Sequence, residues 1–310
     1  MTFNFEYSVV VPVYNSYEGL TELYSKLTKT FKQINSTYEV IFVDDYSTDK
    51  SWDVLQEIKQ TNPDKNITIA KLSKNFGQHK ATLCGIELVS GERTITIDDD
   101  LQVNPSEIIK LVTAFNENQY DIIYGSYKDK KHSKIKNAGS KIIQSQTKIL
   151  IDSKFKATSF RLFKTELRNG FTFVKNKTHI FIDEILMWNT ANIGAIYVEH
   201  SERKYNTTSY SNKKLFNLGI NTILFTTNIP LKLMVYFGFF GSFGSFILGI
   251  RFIYRRLAFD VPLGYTSMIV TILFSTSILL LMFGIIGKYI NELYLSINQK
   301  PPYLINKIIK

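Results

Sequence analysis

Thr94-Ile95-Thr96-Ile97-Asp98-Asp99-Asp100-Leu101-Gln102 passes in one step from a β-branched run to three adjacent carboxylates. The first four residues have the composition of a buried strand, and the carboxylates cannot continue into a core unpaired. Three other apolar runs end in polar residues in the same way. Tyr7-Ser8-Val9-Val10-Val11-Pro12-Val13 leads into Asn15-Ser16, Glu39-Val40-Ile41-Phe42-Val43 into Asp44-Asp45, and Ile67-Thr68-Ile69-Ala70-Lys71-Leu72 into Asn75-Phe76-Gly77. An amphipathic stretch from Tyr17 to Ile34 follows the first run and a helix around Pro105 to Asn116 follows the fourth. This alternation predicts an α/β fold, Rossmann-like, with a mostly parallel sheet covered by helices on both faces. Ligands of such sheets collect at the carboxyl ends of the strands, so the polar residues after each run are the candidate site.

Neither Gly-x-Gly-x-x-Gly nor a Gly-Lys-Ser/Thr phosphate loop occurs, so a phosphate must be held another way. Three neighbouring aspartates raise one another's pKa and resist joint ionisation. A divalent cation resolves that conflict. Mg²⁺ or Mn²⁺ takes oxygen ligands and retains substrate phosphates, so Asp98 and Asp100 are expected to hold a metal that grips a diphosphate. The competing reading is an acidic turn that caps the helix after it.

The 310 residues allow one α/β domain plus an appendage, and the net charge of +10 admits nucleic acid, an anionic membrane surface or a phosphorylated substrate as partner. The densest basic stretch, Lys128, Lys130, Lys131, Lys134, Lys136 and Lys141, has no aromatic interleaving and no nucleic-acid motif, so no nucleic-acid partner is expected. It reads equally as a solvated face or as a surface for phosphate or lipid headgroups. Cys84 is the only cysteine, which excludes an intrachain disulfide and a thiolate metal cluster. The start lacks the basic and apolar regions of a signal peptide, so the N-terminal domain is expected in the cytosol.

Charge thins out after residue 232. Leu233 to Ile250 is uncharged over 18 residues, and Tyr265 to Gly287 over 23. A helix crosses a bilayer with about 20 apolar residues, so two transmembrane helices are expected, at 229–254 and 265–287. The connection from Arg255 to Gly264 is short, which places both outer ends on one side. Arg251, Arg255 and Arg256 nearly cancel the positive-inside bias of the lysines outside the hairpin. The hairpin is expected outside, with 288–310 as a cytosolic tail. Residues 211–227, with Lys213, Lys214, Leu215, Phe216 and Leu218, read as a basic amphipathic helix in the interface or as a packing helix of the domain. Gly238, Gly241, Ser242, Gly244 and Ser245 allow close helix contact within the hairpin or between subunits of a homo-oligomer.

Taken in order, Val10-Val11-Pro12-Val13-Tyr14-Asn15, Val43-Asp44-Asp45-Tyr46-Ser47-Thr48-Asp49, Leu72-Ser73-Lys74-Asn75-Phe76-Gly77 and Asp98-Asp99-Asp100-Leu101-Gln102 resemble family 2 glycosyltransferases. The similarity is to the branch that acts on polyprenyl phosphates, such as dolichol phosphate and undecaprenyl phosphate. Gly264-Tyr265-Thr266-Ser267, Gly284-Ile285-Ile286-Gly287-Lys288-Tyr289-Ile290 and Lys300-Pro301-Pro302-Tyr303 resemble the membrane hairpin of its bacterial members. The resemblance implies a GT-A type domain over residues 1–225 in the cytosol, anchored in the bacterial inner membrane. It implies transfer from a nucleotide-sugar, UDP-linked in bacterial members, to polyprenyl phosphate, for cell-envelope glycan modification. A glycan- or protein-acceptor transferase of the same superfamily and a catalytically degenerate scaffold are the alternatives.

Carried over by position, the resemblance implies that Pro12, Tyr14, Asn15, Asp44, Asp45 and Asp99 bind the nucleotide. It implies Asp98, Asp100 and Gln102 for the Mg²⁺ or Mn²⁺ and the diphosphate. Arg161 and Arg203 are the implied phosphate-gripping arginines, since a guanidinium can engage phosphate through two N–H groups. Asp183 is the remaining acidic candidate on the acceptor side, and Asp100, Arg161, Asp183 and Arg203 form the catalytic set. Two positions depart from the pattern. Tyr46 stands where many relatives have glycine, and Ser159 where some carry a carboxylate proposed as general base. A lipid phosphate is already ionised at neutral pH, so alignment and charge stabilisation can replace a base.

Overall fold

The computed structural model describes residues 3–127, 158–174, 182–201, 264–297 and 301–310, with scattered positions between 236 and 258. Two compact units partition the chain, residues 1–209 with 299–310, and residues 210–298.

The first unit is built on β1 (Phe5–Val13), β2 (Tyr38–Asp44), β3 (Ile67–Leu72) and β4 (Gly91–Thr96), with helices α1 (Tyr17–Ile34), α2 (Ser51–Thr61) and α3 (Gln78–Leu88) between them. After α4 (Glu107–Asn118) come β5 (Ile122–Ser126), β6 (Arg161–Lys164), a run of 3-10 turns over Thr165–Val174, α5 (Ile182–Asn189) and β7 (Ile193–Tyr197). The strand order is β7-β5-β6-β4-β1-β2-β3-β8, where β8 is Ile305–Ile309. β1 pairs in parallel with β2 and β4, β2 with β3, and β5 with β7, while β6 and β8 run antiparallel to their neighbours.

The apolar runs form strands because both their faces are covered. Val9, Val11 and Val13 pack with Leu20, Leu23, Leu27 and Phe31 of α1 and with Leu111 and Phe115 of α4 on one side of the sheet. Val10, Ile41, Val43 and Leu72 turn to the other side and pack against Ala81 and Cys84 of α3. This period-2 alternation across a two-sided core makes each run nearly continuous in apolar residues. Helix α3 buries six consecutive residues, Ala81 to Ile86, so it lies inside the domain. Gly85 allows the close approach, since a Cβ there would meet Val10 Cγ1 at 2.3 Å.

The strand spans agree with the sequence reading to within a few residues, and α4 begins at Glu107, two residues later than expected. Within the expected tail, 288–310, the long C-terminal helix runs on to Ile297, and β8 adds to the edge of β3 as an antiparallel strand, opposing Ile69 to Ile309 and Ala70 to Ile308.

In the second unit α6 spans Tyr265–Ile297, 33 residues, and contains the second expected span. Its described side chains include the exposed Ile272, Leu279, Leu280, Phe283, Ile290 and Leu293. Among the described residues no helix is long and apolar enough to cross a membrane. Most of the first expected span, the segment 211–227 and the lysine stretch 128–141 lie outside the described residues.

Candidate active site

The chain order β3-β2-β1-β4 reverses direction between β1 and β4, which opens a crevice beyond their carboxyl ends. The loop after β1, Tyr14 to Ser16, and the loop after β4, Asp98 to Gln102, face each other there. Asp99 joins them, accepting the Tyr14 N–H at 3.1 Å and the Ser16 hydroxyl on the same oxygen. Burial pushes Asp99 up to about 7, against the pull of those two donors.

The loop after β2 is tied to both neighbours. Asn15 donates its N–H to Ser47 Oγ at 3.0 Å and accepts the Thr48 N–H at 2.8 Å. Asp44 is fully buried; one oxygen accepts the Ser47 N–H at 3.1 Å, and the other lies 3.8 Å from Lys71 Nζ. Burial raises its pKa. Asp45 accepts the N–H groups of Phe76 and Gly77, both at 2.7 Å, and burial pushes it up to about 6. Its carboxylate therefore fixes the start of α3, where Gly77 occupies φ +93. Tyr46 sits at φ 62 and Leu101 at φ 56, so each aspartate loop makes its turn on a left-handed residue that is not glycine.

Asp98 is held on both oxygens, by Gln78 Nε2 at 2.7 Å and Ser159 Oγ at 2.6 Å. Burial raises its pKa, and the Asp100 charge adds to that while the Ser159 hydroxyl opposes it. Asp100 accepts the Gln102 N–H at 3.1 Å. Asp98, Asp100, Gln102, Tyr127 and Ser159 line one small cavity of about 10 Å³, close to the space of a single water or ion. Among the described residues no group of three or more His, Cys, Asp or Glu converges as a metal site. Two carboxylates with waters and substrate phosphates are nevertheless a usual shell for Mg²⁺, so this donor set fits such a cation. The aspartates do not cap α4: the Ser106 N–H at its start donates to Asn104 Oδ1 at 3.2 Å.

On the other side of Asp98 lies a cavity of about 210 Å³ lined by Pro12, Gln78, His79, Thr82, Thr96, Ser159, Arg161 and Asp183. Arg161 is 2% exposed, donates Nε to Thr96 Oγ1 at 3.0 Å and pairs through a terminal nitrogen with Asp183. The Arg161 charge is thus already compensated. His79 borders this cavity, and burial together with the Arg161 cation lowers its pKa.

Of the residues expected from the sequence, Pro12, Tyr14, Asn15, Asp44, Asp45, Asp98, Asp99, Asp100, Gln102, Arg161 and Asp183 all fall at or beside this crevice. Arg203 lies outside the described residues; the chain reaches Ser201, which donates its N–H to the Gln102 carbonyl at 2.8 Å. Gln78, His79, Thr82 and Thr96 were not singled out in the sequence. Gln78 and His79 follow the loop at the end of β3, where the strand-end rule applied to the other loops would have found them.

A family model described as Glycosyl transferase family 2 matches residues 8–178, more than half of the chain. The chain belongs to this family. Its α/β fold is that of a GT-A type glycosyltransferase, and the protein is a transferase. Among its relatives an undecaprenyl-phosphate 4-deoxy-4-formamido-L-arabinose transferase of Proteus mirabilis is 31% identical, the match covering 97% of this chain and 93% of the relative. An uncharacterized glycosyltransferase of Synechocystis sp. is 30% identical over 98% of this chain and 95% of its own length. Among solved structures, glucosyl-3-phosphoglycerate synthase from Mycobacterium tuberculosis in complex with Mn²⁺, UDP and phosphoglyceric acid is 14% identical. That match covers 71% of this chain and 77% of the synthase, with a TM-score of 0.49.

Proposed function

We propose that this glycosyltransferase moves a sugar from a UDP-linked donor to a polyprenyl phosphate, undecaprenyl phosphate, at the cytosolic face of the bacterial inner membrane. The observation that carries the catalytic part is the pairing of Asp98 with Asp100 on one ion-sized cavity at the end of β4. A divalent cation bound there neutralises charge on the departing nucleoside diphosphate. Pro12, Tyr14 and Asp44 border the nucleoside, with Asp45 and Asp99 bracing the loops that carry them. The lipid phosphate attacks the anomeric carbon directly, with inversion, and needs no proton removed. Arg203, two residues beyond Ser201, is assigned to its phosphate, while Arg161 orients Asp183 at the wall of the larger cavity.

The acceptor assignment is supported by the name of the Proteus mirabilis relative, which shares nearly the whole length of the chain. The membrane assignment is supported by the uncharged stretch Tyr265 to Gly287 and by the exposed apolar side chains of α6. The product is a lipid-phosphate-linked sugar for the cell envelope.

The test is transfer from radiolabelled UDP-sugars to polyprenyl phosphate by the purified full-length protein with Mg²⁺ or Mn²⁺, read as organic-soluble label. Label only on glycan or protein would replace the acceptor. No label with any donor, together with no cation-dependent nucleotide binding, would leave a scaffold.

A further inference from the structure

The two donors on Asp98 come from different parts of the chain, 20 residues before it in the case of its pairing with Gln78 and 61 after it for Ser159. We propose that Gln78 and Ser159 are positioning residues that clamp the Asp98 carboxylate in the orientation that binds the divalent cation. The hydroxyl at position 159 acts as a donor to that carboxylate and takes no proton from the acceptor. The inference rests on the cation reading given above.

A carboxylate rotates broadly about its last torsion, and a donor on each oxygen removes that freedom. An ionised carboxylate offers about four lone-pair sites, so two remain for a cation after both bonds are made. Each arm of the clamp is itself anchored. Thr96 Oγ1 donates to the Ser159 carbonyl and accepts from Arg161 Nε, so a chain of hydrogen bonds runs from the buried guanidinium through Thr96 and Ser159 to Asp98. Gln78 is the first residue of α3, whose preceding turn is held by Asp45 through Phe76 and Gly77. Both donors are neutral, so they orient the carboxylate without cancelling the charge the cation needs. Supporting partners of metal ligands typically contribute about 10- to 100-fold in metal affinity or activity.

The experiment is Mn²⁺ titration of the full-length protein in detergent, read from the electron paramagnetic resonance of free Mn²⁺, with a thermal melt of each variant. Gln78→Ala and Ser159→Ala are each expected to weaken Mn²⁺ binding about 10- to 100-fold. Ser159→Thr, which keeps the hydroxyl, is expected to bind as the parent does. Unchanged affinity in both alanine variants, alongside lost binding in Asp98→Ala, overturns the clamp and leaves the cation site standing. Unchanged affinity in Asp98→Ala overturns the clamp and the cation site together.

Discussion

Tyr303 donates its phenolic proton to Glu87 at 2.5 Å across 216 residues of sequence. Glu87 lies on α3, and the Tyr303 ring packs into the apolar clusters on that helix together with Leu83 and Cys84. The same segment delivers β8 to the edge of β3 and a bond from the Ser73 N–H to the Leu304 carbonyl at 2.8 Å. The end of the chain thus helps seat the helix whose first residues, Gln78 and His79, face the site. Tyr303→Phe keeps the ring and removes one hydrogen bond to a carboxylate, so it is expected to lower stability by about 1.5–3 kcal/mol. Thermal melting of the full-length variant measures this, and an unshifted midpoint would show that the contact adds nothing.

The Asp45 carboxyl sets a pH dependence. Its folded value of about 6 lies above the roughly 3.9 of an aspartate in an unfolded chain. Between those values the folded state binds the extra proton, so the Asp45 contribution to stability falls as pH rises from about 4 to about 6. At about 1.36 kcal/mol per pH unit the change attributable to this group is on the order of 3 kcal/mol. Asp45→Asn is expected to flatten that part of the stability profile in denaturant titrations between pH 4 and 7. A profile as steep as the parent's would assign the dependence to other carboxyls.

Tyr46 occupies φ 62 and is 44% exposed, so it bears a backbone penalty with little packing in return. The left-handed region costs a non-glycine residue about 1–2 kcal/mol, and glycine returns about 0.5–1 kcal/mol of that through its greater freedom when unfolded. Tyr46→Gly is therefore expected to hold or raise stability by up to about 1 kcal/mol. If the ring stacks on the nucleobase, the same variant raises the donor KM while the melting point stays or climbs. A fall in melting point would mean that Tyr46 packs more than its exposure indicates.

Much of this arrangement could be read from residue order. β1 and β2 are nearly continuous apolar runs because both faces of a parallel sheet are covered, and the loops after β1, β2 and β4 begin the polar stretches that the crevice uses. The later strands were less legible. β6 is only Arg161–Lys164 and carries two charges, and β8 is mostly exposed, so neither has the pattern of a buried strand. At the site, the sequence located the aspartates without revealing how they divide the work. Asp45 and Asp99 look like their neighbours in sequence, yet their partners are backbone and hydroxyl donors of adjacent loops. Which way a carboxylate turns at a strand end depends on donors from distant segments, and periodicity holds no record of them.

The acidic pair itself gives a direct prediction. Asp98→Ala and Asp100→Ala are each expected to abolish transfer while expression and the melting point persist, and chelation of divalent cations is expected to do the same reversibly. Full turnover in both variants would remove the cation from the reaction.

The Arg161–Asp183 pair separates a phosphate grip from a structural one. Arg161 is almost wholly buried, and its Nε and one terminal nitrogen serve Thr96 and Asp183. Breaking a wholly buried ion pair on one side typically costs about 3–5 kcal/mol, and since the Asp183 side chain is 26% exposed to water the cost here falls at or below the low end of that range. Arg161→Met is expected to destabilise the fold on that scale, and adding Asp183→Asn is expected to recover part of the loss, giving a coupling of about 0.5–3 kcal/mol in a double-mutant cycle. Arg161→Lys cannot reproduce the fork that reaches both partners, so it is expected to lie between the two. In kinetics the structural role predicts a lower kcat with the KM for the proposed polyprenyl phosphate acceptor little moved. A rise of about tenfold in that KM, equivalent to about 1.4 kcal/mol of lost binding, without loss of stability would instead place the guanidinium on the lipid phosphate.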